Sequence, residues 1–196
     1  MALLHAACPD IRRMIFKFQP EFLSNYLQLA VFDKLQHFET WGGEYMEVPS
    51  SPSHTAFLQS GLQQLLEVLG PNLLSLHLCH VEELTIHSIL HLATSCPHLT
   101  DIKLENCSFV VDNVNPLNEE QLEVINGSVP LLLDLQALRI VNKMPLEMML
   151  MVLRKALNIV TIDMDSMETL TDSTVLQLLQ VNRLSRLQTL SVMATK

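Results

Sequence analysis

The stretch "CPHLTDIKLENC", residues 96–107, sets Leu99, Ile102 and Leu104 in the spacing L-x-x-I-x-L and follows them three positions later with Cys107. Neither a helix period of about 3.6 residues nor plain strand alternation runs through all of it. A repeating unit accounts for the pattern: a short strand with two inward side chains, then a turn whose ninth position tucks a small residue beneath the next coil. Such a unit cannot bury its apolar face alone, so the spacing must recur along the chain.

It does recur. "NLLSLHL" places Leu73, Leu76 and Leu78 at the same spacing, and later segments repeat it with Leu135, Leu138 and Ile140, with Ile159, Ile162 and Met164, and with Leu187, Leu190 and Val192. Two weaker copies come first: Ile11, Met14 and Phe16, then Leu35, Phe38 and Thr40, the latter with a threonine where an aliphatic residue belongs. The seven units start near 11, 35, 73, 99, 135, 159 and 187, separations of 24, 38, 26, 36, 24 and 28 residues. Leucine-rich repeats run to about 20–29 residues. The two long separations imply insertion loops over residues 41–55 and 108–120, the second packing partly through Phe109 and Val110.

Between the expected strands lie helical patterns. Ile86, Ile89, Leu90 and Ala93 fall at i, i+3, i+4 and i+7, one apolar stripe. Leu58, Leu62, Leu65 and Leu69 form another, stopped by Gly70 and Pro71. Asn118 caps a third helix with Gln121 three residues on. Pro145 suits a first helical position, with Arg154 and Lys155 near the end where the helix dipole favours cations. Val175, Leu178 and Leu179 share a face behind Asp172. Each unit therefore reads strand, loop, helix. The expectation is one α/β domain over residues 1–196, a leucine-rich repeat solenoid of horseshoe form with parallel strands on the concave face and helices on the convex face.

Composition narrows the function. The chain is 48% hydrophobic with only 5 glycines, which suits rungs of aliphatic side chains. No apolar run reaches the ~18 residues of a membrane span, and the start has neither a basic segment nor a long apolar one. An intracellular protein, cytoplasmic or nuclear, is expected, with its four cysteines reduced. A formal charge of -9 argues against a nucleic-acid surface, because phosphate binding needs clustered Lys and Arg. There is no glycine-rich phosphate loop and no nucleophile elbow, so neither an enzyme nor a cofactor is expected. "HLCH" offers His77, Cys79 and His80, and Asp101 could approach His77, but alternation turns His80 away and leaves too few ligands for a tetrahedral metal. His87 and His91 stand at i and i+4 without the glutamate of H-E-x-x-H and read as solvated helix histidines. Cys8 and Cys96 precede prolines at helix ends and read as small buried residues.

"LATSCPHLTDIKLENC" resembles the cysteine-containing repeats of F-box leucine-rich repeat proteins, in which a Cys-Pro pair ends one helix and the next strand closes on a cysteine. Cys8-Pro9 in "AACPDIRRMIF" and the "LTD" turn at residues 170–172 are similar. Cys107 has no cysteine counterpart in the other units. The resemblance implies the substrate-binding half of a ubiquitin-ligase receptor, which would reach the ligase adaptor through an F-box that this sequence does not display. Neither "ALLHAACP" nor "LQTLSVMATK" looks like the polar cap a solenoid needs, so the chain reads as a piece, or a divergent remnant, of a longer horseshoe, the alternative being end rungs covered by a partner or by self-association.

Strand alternation names the concave surface. Positions three, five and seven of each unit should point to the open side, and from them Arg13, Lys17, His37, Glu39, Trp41, His77, Asp101, Lys103, Glu105, Arg139, Asp163 and Asp165 are the expected partner-binding residues. The row passes from basic through mixed to acidic, which suits an extended protein segment whose direction is fixed by charge. Two readings of function stand: a substrate receptor for ubiquitin ligation, and a leucine-rich scaffold or regulatory adaptor unrelated to ubiquitin.

Overall fold

Each L-x-x-L-x-L spacing becomes a strand of 5 residues that begins two residues after the unit does. These are β1 (Arg13–Lys17), β2 (His37–Trp41), β3 (Ser75–Cys79), β4 (Asp101–Glu105), β5 (Ala137–Val141), β6 (Thr161–Asp165) and β7 (Thr189–Met193). The computed structural model describes residues 2–17, 27–41, 62–81, 84–110, 132–141, 144–165 and 171–193. Leu58, the helix expected behind Asn118 and most of both insertion loops lie outside these residues, as do the side chains of Lys17 and Asp165.

The architecture is α/β. The 7 strands form one parallel sheet in the order β1-β2-β3-β4-β5-β6-β7, with no register offset between neighbours. Ile15, Glu39, His77, Lys103, Arg139, Asp163 and Ser191 consequently stand in one line across the sheet. The entry to each strand is joined in the same way: the Leu74 carbonyl accepts the N–H groups of Thr100 and Asp101, and the Thr100 carbonyl accepts those of Gln136 and Ala137. The backbone groups that a strand start would leave bare are thereby satisfied by the neighbouring rung.

Alternation decides what the sheet buries. Leu73, Leu76, Leu78, Leu99, Ile102 and Leu104 are all at most 3% exposed and belong to one continuous core. The weak second unit follows the same rule, since Phe38 is buried and so is Thr40. Cys107, at the ninth position, is buried as the spacing implied, but its thiol donates at 3.4 Å to the Leu78 carbonyl of the preceding strand rather than reaching the next unit. Phe109 packs against the core from a bridge to Leu84, whereas Val110, expected to pack with it, is exposed.

The described helices are α1 (Ala2–Ala7), α2 (residues 62–69), α3 (Ile86–Ser95), α4 (Leu146–Lys155) and α5 (Asp172–Val181). α3 begins at a capping box in which the Thr85 side chain accepts from the Ser88 N–H and Ser88 reaches back, and it buries Ile89, Leu92 and Ala93. Leu92 is one residue that the expected stripe omitted. Pro145 flanks α4 rather than occupying its first turn, and Met148, Met149 and Met151 fill the core beneath it. Thr171 and Thr174 cap α5 in the same reciprocal way. The expected apolar face of α5 is buried only at Leu178, because Val175 and Leu179 are exposed.

Several strands are entered through a shared turn. The N–H groups of Leu73, Leu99 and Leu135 bond to the carbonyls of Gly70, Cys96 and Leu132, three residues earlier in each case. At Gly70 this turn meets the end of α3 so closely that a Cβ would lie 2.3 Å from the Ser95 carbonyl oxygen. Asn182 plays a comparable part further on, donating from Nδ2 to the carbonyls of Leu153 at 2.8 Å and Ala156 at 2.9 Å and so closing the end of α4. Cys96 is buried as expected, while Cys8, expected to be buried, is exposed. Among the described residues no helix is long and apolar enough to cross a membrane.

Candidate functional site on the open sheet face

The residues between the buried strand positions point away from the core. β4 and β5 both alternate half-buried with buried side chains along their whole length, so Asp101, Lys103, Glu105 and Arg139 share one face. Strand alternation brings Arg13, His37, Glu39, Trp41, His77 and Asp163 to the same face. Arg13 and His37 are exposed, and Glu39, His77 and Asp163 are half-buried. Trp41 keeps 38% of its surface in solvent.

The polar groups are not spread evenly over this face. They concentrate where β2, β3 and β4 run side by side. The Trp41 indole Nε1 donates to Glu39 Oε1 at 2.7 Å, and His77 Nδ1 lies 3.4 Å from the same oxygen. Arg13 approaches the other Glu39 oxygen at 3.7 Å. On the far side of the imidazole, His77 Nε2 stands 3.0 Å from Glu105 Oε2, which Lys103 also engages. The Trp41 ring meets the His77 ring edge-on, with centroids 6.1 Å apart. The His77 imidazole is therefore held between two carboxylates, each in turn held by a cation or an N–H donor. One strand further on, Arg139 Nη1 lies 3.4 Å from Asp101 Oδ2.

Two groups of this cluster titrate away from their ordinary values. The Lys103 ammonium bonded to Glu105, with a smaller contribution from His77, holds the Glu105 carboxyl below the usual carboxylate range. Burial, followed by the charge of Glu105, pushes the Cys79 thiol up to about 11. Cys79 is fully buried although it lies at an outward strand position. His77, Cys79 and Glu105 each bring one donor atom to within 4.8 Å of the others, the one such convergence of metal-ligating side chains among the described residues.

Several sequence expectations need correction. Asp101 does not reach His77; it pairs with Arg139, and Glu105 takes the place proposed for it. His80 is not simply turned away by alternation. It follows the end of β3 with φ 53°, in a left-handed turn where the strand rule no longer applies, and its ring centroid lies 6.4 Å from that of Trp41. His91 is half-buried rather than freely solvated: its Nε2 lies 3.2 Å from both the Gln63 carbonyl and Ser95 Oγ, tying α2 to α3, while His87 is exposed. The missed relationship, Cys79 with Glu105, was available in the repeat numbering, because both occupy position seven of adjacent units and are register partners.

No family model matches the chain, and neither does any curated protein.

Proposed function

We propose that the chain is a leucine-rich repeat module of horseshoe type that holds an extended protein segment on its open face, as the substrate-recognition part of an F-box type ubiquitin-ligase receptor. The observation that carries the protein-binding reading is the unbroken register. It sets Glu39, His77, Lys103, Arg139 and Asp163 in one line of both charges on adjacent strands. Six strand-to-strand steps of about 4.8 Å give a track of roughly 29 Å, enough for about nine extended residues. Cationic Lys103 and Arg139 lie at its centre and anionic Asp163 beyond them, so a segment of opposite pattern would dock in one direction only. Trp41, partly exposed beside them, supplies the large apolar surface on which interface energy concentrates.

The ubiquitin part of the reading rests on the resemblance of "LATSCPHLTDIKLENC" to F-box leucine-rich repeat proteins. The two parts have separate tests. Reversing the central charges with Lys103→Glu and Arg139→Glu should weaken partner binding at least tenfold, with little change in melting temperature. An unaltered affinity removes the open face as the binding surface. Co-purification of the full-length protein with the ligase adaptor supports the receptor role. Failure to retain the adaptor leaves a scaffold or adaptor protein instead.

A further inference from the structure

We propose that His77, Cys79 and Glu105 form a zinc-binding site on the open sheet face, with one coordination position left to water. The three side chains differ in chemistry and come from two neighbouring strands, yet their donor atoms lie within 4.8 Å of one another. The sheet enforces this placement. His77 and Cys79 are two residues apart on β3 and so point the same way, and Glu105 on β4 is the direct register partner of Cys79. Zinc takes thiolate at about 2.3 Å and imidazole or carboxylate at about 2.0–2.2 Å, so a tetrahedral centre needs its ligand atoms ~3.3–3.8 Å apart. The 3.0 Å between His77 Nε2 and Glu105 Oε2 must open slightly, and the other separations, none above 4.8 Å, need close by no more than about 1–1.5 Å to reach tetrahedral spacing. Side-chain rotation alone supplies movements of that size.

The surroundings match what a metal ligand requires. A ligating histidine commonly gives its other ring N–H to a carboxylate, which fixes the tautomer and the ring orientation. Glu39 stands in that place, 3.4 Å from His77 Nδ1, and is itself held by the Trp41 indole. Nε2 is thereby left for the metal. Nitrogen, sulfur and oxygen donors together favour a borderline ion such as Zn2+ over Ca2+ or Mg2+, which take oxygen. On ligation Cys79 releases its thiol proton to solvent, and the metal takes the sulfur lone pair. Lys103 is the built-in competitor: its ammonium occupies the Glu105 oxygen that the metal would use. This is a property that a merely structural cluster would not share, since removing Lys103 should improve metal binding.

The test is titration of the reduced full-length chain with Co2+ as a spectroscopic stand-in, followed by displacement with Zn2+. One equivalent of Co2+ should produce thiolate-to-cobalt charge-transfer absorption together with visible ligand-field bands, and Zn2+ should abolish both. Cys79→Ser should remove the charge-transfer band, and Glu39→Gln should weaken binding by ~10-fold or more. Lys103→Met, a change at a half-exposed position that does not disturb the core, should tighten it. A wild-type chain without the band overturns the proposal. So does a band that persists in Cys79→Ser, or a Lys103→Met chain that binds no more tightly than wild type.

Discussion

β3–β4 and β7 carry the same sequence pattern and meet opposite fates. Leu76 and Ile102, at position four of their units, are 0% and 3% exposed, while Leu190 at the same position is 56% exposed. The helices differ in parallel: α3 buries Ile89, Leu92 and Ala93, whereas on α5 Val175, Leu176 and Leu179 remain in solvent. The spacing of leucines thus specifies which side chains face the helix layer. Their burial differs from strand to strand: Met14, at the same position of β1, is only 9% exposed although β1 pairs with β2 alone. Polar chemistry follows the same gradient, because the Glu39, His77, Lys103 and Glu105 cluster sits where three strands run side by side.

The largest effect should come from the position that defines the contrast. Ile102→Ala should lower the unfolding free energy by ~2–5 kcal/mol in urea denaturation, and Leu190→Ala should cost under ~1 kcal/mol. Equal losses would break the comparison. Next comes Gly70→Ala, whose new methyl meets the Ser95 backbone rather than a flexible side-chain tip; overpacking of this kind costs ~1–3 kcal/mol. A neutral result would mean that α3 and the third rung are not closely packed.

Alkaline pH sharpens the contrast, because Cys79, Cys96 and Cys107 all lie in the third and fourth rungs. Burial pushes their thiols up to about 11, 12 and 11. Folded pKa values above the unfolded ones mean that the unfolded chain loses its protons first. Stability is therefore intact below about pH 8.5 and falls as pH rises towards the folded values, by up to ~1.4 kcal/mol per pH unit for each thiol. Urea midpoints measured from pH 8 to pH 10.5 should show this decline, and Cys96→Ala should remove about one proton's share of the slope. Smallest is the cap pair. Thr85→Ala, at a buried capping box, should cost ~1 kcal/mol, more than Thr171→Ala at the exposed equivalent. Reversal of that order would separate capping from stacking.

Strand positions were legible because a two-residue alternation inside a fixed spacing leaves almost no freedom: even Thr40, the residue least suited to the pattern, is buried where the spacing put it. The open-face residues followed from the same rule. Side-chain pairing across strands was less legible, since Asp101 and Glu105 are both acidic, both outward and both two residues from Lys103, the register partner of His77 and of Arg139, so that only side-chain reach assigns Glu105 to His77 and Asp101 to Arg139. The apolar stripe on α5 read like that on α3, because amphipathicity in a sequence records a face and not whether a neighbour covers it. His80 escaped the strand rule by entering a left-handed turn that no local glycine announced.

Photo-crosslinking tests the functional claim most directly. A photoreactive amino acid would be placed at Arg139 on the open face in one version of the protein and at exposed His87 on α3 in another, and both would be irradiated in cells. The account predicts a discrete crosslinked partner from position 139 and none from position 87. A partner captured from position 87 alone, or equally from both, would contradict it.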